Sequence, residues 1–192
     1  MTPLTEKALV HSSVRILAID PGKSGAACLL GRGTLAVRRD YRTLNDIVSG
    51  IRDLVEIETP DLAVIEQVNA RPGEGVCSVW AFGKATGVAE GAIASLLPSH
   101  ELHEVHPLKW QNFFRRQFGL PRPKEFDSRA ICQKLLPGYL TLFKRKLDHN
   151  TADAVLIAVW ALLVLAPSLK PAFPQVGQRF MEWSRAWPAI KF

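Results

Sequence analysis

Three acidic residues stand where an apolar run stops or starts. Asp20 closes Val14–Ile19, Glu66 closes Leu62–Ile65, and Asp153 opens the run that begins at Ala154. A carboxylate beside a buried element costs free energy unless it is paired or bound to a metal. Taken singly, each has an ordinary reading: Asp20 and Glu66 as caps of a sheet, Asp153 as a partner for the positive end of a helix. Taken together on one α/β pattern, they suggest a site for a hard cation. Mg²⁺ prefers oxygen ligands in near-octahedral geometry and keeps several waters. Two such ions ~3.5–4 Å apart clamp the attacking and leaving oxygens of a phosphodiester, with no Ser–His–Asp or Cys–His arrangement required.

The elements that would position these acids follow from hydrophobic spacing. Val14–Asp20 reads as a buried strand, ending at the turn signal Pro21-Gly22. Gly25–Leu30 and Thr34–Tyr41 read as two further strands, joined by a tight turn at Gly31-Arg32-Gly33. Leu44, Ile47, Val48, Ile51, Leu54 and Val55 fall at helical spacing, predicting a helix over Thr43–Glu58. Asp61–Glu66 and His103–His106 complete five strands. Helices are predicted over Val76–Leu97, Pro107–Phe118, Glu125–Leu136 and Thr151–Ala166, the last with Asp153 in its first turn. Gly83, Gly87 and Gly91 lie four apart on the first of these, predicting close packing on the sheet or, alternatively, close approach to a DNA backbone. The order predicts an α/β fold, a mixed sheet flanked by helices.

Charge narrows the function classes. The net charge is +6, and Pro107–Lys146 holds ten Lys/Arg against Glu125 and Asp127 alone. A solvated surface is the ordinary reading, and a polyanion-binding stripe the functional one. Lys109, Arg115, Arg116, Arg122, Lys124, Lys144, Arg145 and Lys146 are candidate phosphate contacts, as are Lys84 and Arg71, the latter in a loop just after Glu66. Trp80 and Phe82 are candidates either for core packing or for stacking on opened bases. The three cysteines, Cys28, Cys77 and Cys132, form no zinc or disulfide framework. With no signal-like N-terminus, a reduced cytoplasmic setting is expected. The apolar stretch after Asp153 is read as a buried helix rather than a membrane span. Residues 1–13 are expected to be a flexible leader, 14–166 the folded domain and 167–192 a Pro/Trp-rich tail.

The motifs also carry a resemblance. Ile16-Leu17-Ala18-Ile19-Asp20-Pro21-Gly22, Ala63-Val64-Ile65-Glu66-Gln67 and Asp148 through Ala158 resemble, in order, the three motifs of RuvC-type Holliday-junction resolvases. Arg71–Gly75 and Phe82–Gly87 look like the phage and prophage members, and the similarity spans Val14 to about Ala166. The resemblance implies a ribonuclease H-like fold with a five-stranded mixed sheet. It also implies Mg²⁺ dependence with Mn²⁺ as substitute, a homodimer, and paired cuts in a four-way DNA junction. Asp20, Glu66 and Asp153 carry over as metal ligands. The family's fourth ligand, often three residues before the last Asp, falls on Asn150 here. Asp148 is therefore the expected fourth ligand, with His149 as a further ligand or proton-transfer group.

Other readings stay open on the same residues. They are a ribonuclease H-like nuclease for hybrid or other branched substrates, and a junction-binding protein without catalysis. An actin-like or sugar-kinase ATPase domain is disfavoured by the chain's length and by the basic stripe.

Overall fold

The computed structural model describes residues 6–10, 12–22, 24–67, 73–120 and 122–166. A short helix α1 (Glu6–Val10) leads into strands β1 (Ile16–Asp20), β2 (Ala26–Gly31) and β3 (Thr34–Arg38). Helix α2 (Leu44–Ile57), strand β4 (Leu62–Glu66), helix α3 (Val76–Leu96) and strand β5 (Leu102–Val105) follow, then helices α4 (Pro107–Gln117), α5 (Ser128–Leu135) and α6 (His149–Trp160). The five strands form one sheet in the order β3-β2-β1-β4-β5. The β1–β2 and β2–β3 pairs are antiparallel, while β1–β4 and β4–β5 are parallel. This is the mixed α/β sheet that the hydrophobic spacing predicts.

The central strands are covered on both faces, which is why β1 and β4 read as continuous apolar runs rather than alternating ones. Side chains alternate along a strand. Ile16, Ala18, Leu62 and Val64 pack with α6, Trp110, Phe114 and Ile131 on one face. Leu17, Ile19, Ala63 and Ile65 pack with α2 and α3 on the other. By the same alternation, positions 20 and 66 belong to the α6 face.

Helix α2 begins where its sequence says it should. The Thr43 hydroxyl accepts from the Asp46 backbone N–H at 3.2 Å, and the Asp46 carboxylate accepts from the Thr43 N–H at 2.7 Å. This reciprocal cap satisfies two donors that a helix start leaves unpaired. Ile47, Ile51 and Leu54 then face the core.

Three expectations are corrected. The part of the leader described here is not loose: Leu9 and Val10 are buried, and the Arg32 and Gly33 N–H groups donate to Ser12 O and Val10 O at 2.7 and 2.8 Å. An apolar pair with backbone partners holds it to the β2–β3 turn; residues 1–5 and the tail 167–192 lie outside the described residues. Helix α3 does not press its glycine face on the sheet. A Cβ built at Gly83, Gly87 or Gly91 meets nothing within 4 Å, and burial runs instead through Ala85, Ala89, Ala92 and Ile93. The N-terminal half of α3 stands clear, with Val76 85% and Trp80 72% exposed. Helix α6 begins at His149, so Asp153 sits in its second turn rather than its first. As expected for the apolar stretch after Asp153, Lys146–Leu165, long and apolar enough by composition alone to cross a membrane, is 72% buried inside the protein. It is packed as the central core helix, continued by a wider π-helical turn over Ala161–Leu165.

Candidate active site

Asp20 and Glu66 end adjacent parallel strands. Ile19 pairs with Ile65, so the two acids occupy the next step of that register, on the α6 face. The turn after Asp20 is held by Gly22 at φ +134°, a conformation other residues rarely adopt. The ring of Phe82, on α3, lies where a Cβ on Gly22 would go, 2.7 Å away. Asn150, at the start of α6, donates from its side-chain amide to Ser24 O and ties that helix to the same turn.

Electrostatics show that three acids meet here. Burial foremost, then the charges of Asp153 and Glu66, hold the Asp20 carboxyl well above the usual carboxylate range. Asp153 keeps an edge to solvent but is enclosed enough that desolvation pushes it up to about 6. A hydrogen bond with the Ser128 side chain and the charge of His149 pull it down, and Asp127 adds to the rise. Like charges crowded in a low-dielectric setting repel, and a divalent cation would offset that repulsion. The donor set, all carboxylate oxygen, suits a hard cation such as Mg²⁺. Among the described residues, however, no three acid, histidine or cysteine groups already close on one point. Glu66 Oε1 accepts from the Trp110 indole Nε1–H at 2.8 Å.

Asp148 is not placed with the three. Its Oδ1 accepts from Arg39 Nη1 at 2.7 Å and Arg145 Nε at 2.8 Å, and its Oδ2 accepts from the Arg145 backbone N–H at 2.7 Å. Enclosure raises its pKa, but the hydrogen bonds of Arg145 and the charges of Arg39 and Arg145 outweigh this and hold it below the ordinary value. Helical geometry gives the reason. Residues five apart lie on different faces of a helix, whereas those three or four apart share one. Asn150 and His149 therefore stand over Asp153, and Asp148 does not. His149 is exposed, with Nδ1 3.2 Å from Lys146 O, and it is the charge of His149 that Asp153 feels.

The basic candidates divide. Lys84, Lys109, Arg116, Lys124, Lys144 and Lys146 are exposed. Arg115 hydrogen-bonds Asn112 at 2.9 Å and, with Arg116, Gly119 and Leu120, lines a groove at the end of α4. Arg122 is paired with Glu125, and Arg145 is committed to Asp40 as well as Asp148. These two are tied within the protein rather than held ready for phosphate. Arg71 lies outside the described residues. Trp80 and Phe82 have different fates, the first exposed on α3 and the second packed on Gly22. Sequence reading gives Trp110 only a core role and no site role to Ser128 or Arg39. No local signal marks them, since each acts on an acid far away in the chain.

Neither a protein-family model nor a curated protein sequence matches this chain. Solved structures do. The Thermus thermophilus RuvC bound to a Holliday-junction substrate matches with a TM-score of 0.52 and 15% identity, over 79% of this chain and 96% of that one. The yeast mitochondrial Holliday-junction resolvase Ydc2 matches with a TM-score of 0.50 and 10% identity, over 93% and 85%. The fold of this chain is that of the RuvC-type resolvases, a ribonuclease H-like mixed sheet flanked by helices.

Proposed function

We propose that this protein is a divalent-metal-dependent endodeoxyribonuclease that cuts four-way DNA junctions. The observation that carries the reading is the gathering of Asp20, Glu66 and Asp153 at one end of the β1–β4 pair, where the charges of Glu66 and Asp153 add to the cost of ionising the buried Asp20. A chain built for stability alone gains nothing from that gathering. Support for the substrate comes from the structural neighbours, one of which is a complex with a Holliday junction.

In this reading Asp20, Glu66 and Asp153 hold Mg²⁺, or Mn²⁺ in its place, which when bound activates a water and stabilises charge on the phosphodiester. The chain's own residues do the rest. The two strand ends fix Asp20 and Glu66, while α6 brings Asp153 to them from the opposite layer. His149, exposed and beside Asp153, is placed to move a proton at the edge of the site. Lys144 and Lys146, in the segment leading into α6, draw phosphate toward the acids without reading sequence. A four-way junction has two-fold symmetry, so paired cuts call for a C₂ homodimer with one site per strand. The setting we assign is the cytoplasm.

The test is a cleavage assay on a labelled four-way junction, with matched fork and RNA–DNA hybrid substrates, with and without Mg²⁺. Metal-dependent paired incision of the junction is expected. Cleavage of the hybrid alone would move the substrate assignment, and tight junction binding without cutting at any metal concentration would overturn the nuclease reading.

A further inference from the structure

The packing of α4 against the sheet end supplies a residue for this site that no motif contains. Trp110 is 1% exposed, and its ring sits in the core layer shared by α6 and the outer face of β1 and β4. A tryptophan in that place is ordinary core material, but its one polar atom is not spent on a backbone carbonyl. It donates to Glu66 Oε1 at 2.8 Å, across 44 residues of chain. The ring has little freedom to do otherwise. Phe126 meets it edge-on with centroids 5.5 Å apart, and α4 is anchored one turn earlier by His106, whose Nδ1 accepts from the Leu108 N–H at 3.2 Å.

We infer that Trp110 is a positioning residue for Glu66, holding its carboxylate at the strand end in the orientation from which it engages the metal. This rests on the metal-nuclease reading above. Glu66 ends its strand beside Asp20, whose charge repels it. Left to itself, a flexible carboxylate relieves such repulsion by swinging away. A buried indole N–H only donates, so it fixes one oxygen of Glu66 without adding a charge that would compete with a cation. Carboxylate ligands are commonly oriented in this way by a hydrogen bond from behind. Because the three acids do not yet close on one point, Glu66 must adjust as the cation arrives. The indole N–H is then the hinge contact about which it adjusts, and the Trp110 resonance is a direct reporter of metal entry.

The experiment uses the full chain. Mn²⁺ affinity is measured by calorimetry for the wild type, Trp110→Phe, Glu66→Gln and the double variant, with thermal melts alongside. Trp110→Phe keeps an aromatic ring in the core and removes the donor. It is expected to weaken Mn²⁺ binding about tenfold, the lower end of what loss of such an outer contact costs, and to add nothing further in the Glu66→Gln background. In parallel, the Trp110 indole N–H is followed by NMR in the wild type. It is expected to shift on adding Mg²⁺ along the binding isotherm, and to stay still in Glu66→Gln. That arm decides the matter even if Trp110→Phe fails to fold. Unchanged Mn²⁺ affinity in folded Trp110→Phe, an equal loss in both backgrounds, or an indole resonance blind to Mg²⁺ would each overturn the positioning role while leaving the nuclease reading in place. A wild-type protein that binds no Mn²⁺ would instead remove the metal site, and this role with it.

Discussion

The two ends of strand β1 carry opposite electrostatic arrangements. Ahead of it, Arg15 is wholly buried and meets charges of the other sign. It pairs with Glu58, donates to Thr59 O at 3.0 Å, and its backbone N–H reaches Asp61 at 2.8 Å. Arg32 joins both acids, at 2.8 and 3.2 Å. At the far end, Asp20 is also buried, but its charged neighbours are Glu66 and Asp153. The contrast teaches that a buried charge is not itself a sign of function. The informative feature is a buried charge whose surroundings share its sign. Asp148 makes the point a second time, at the start of the same segment that carries Asp153, because two arginines neutralise it and remove it from the cluster.

The largest effect expected from breaking this contrast is on chemistry. On the proposed metal-nuclease reading, Asp20→Asn would remove a ligand, and several kcal/mol of charge stabilisation with it. Junction cleavage in single turnover should fall by roughly a thousandfold or more, with junction binding in Ca²⁺ retained. Cleavage within about tenfold of the wild type would place the chemistry elsewhere.

The burial of Asp153 should cost stability in the absence of metal. The Asp153 pKa is raised in the folded state to about 6, from about 3.9 in an unfolded chain. The folded state therefore binds that proton more tightly, and the contribution is fully present below about 4 and lost as pH rises through about 6. Asp153→Asn carries no such loss. Metal-free melts should show the variant gaining on the wild type between those pH values, to about 1–3 kcal/mol at neutral pH. Mg²⁺ should then stabilise the wild type and not the variant. A stability difference between variant and wild type that stays constant from about pH 4 to 7.5 without metal would contradict this cost of burial.

Asp148 sharpens the comparison from the compensated side. Asp148→Asn should lower the melting temperature, because Arg39 and Arg145 lose their shared partner, yet cleavage at saturating Mg²⁺ should stay within about tenfold. A loss as deep as that of Asp20→Asn, in a folded protein, would return Asp148 to the metal site.

The smallest effect belongs to the exposed lysines. Lys144→Ala and Lys146→Ala should each weaken junction binding modestly and reduce the log–log salt slope by about 0.9. Unchanged slopes in both would move the phosphate path away from the start of α6.

What could be read from sequence, and what could not, divides along the same physical line. Asp20 and Glu66 were legible because a strand that is apolar on both faces makes any terminal acid conspicuous. Asp153 was legible because nearly everything after it is apolar. The fate of Asp148 was not, since its partner Arg39 is 109 residues away and nothing local distinguishes a paired carboxylate from a ligating one. Trp110 was hidden by its own suitability for a core. The exposed half of α3 was hidden too. Its composition is that of a buried helix, and only the reach of the sheet beneath it decides where the cover ends.

The turn at Gly22 has a consequence for how this protein can change over generations. Two independent obstacles guard the position: a backbone angle of +134° and the Phe82 ring 2.7 Å from where a Cβ would stand. Trimming Phe82 removes the second obstacle and leaves the first, while relaxing the backbone moves Asp20 itself. A substitution at Gly22 alone meets both, and it stays strained even where the Phe82 ring gives way. Variation around the site must enter through neighbours such as Lys84 and Trp80, which stand in open solvent on the same helix.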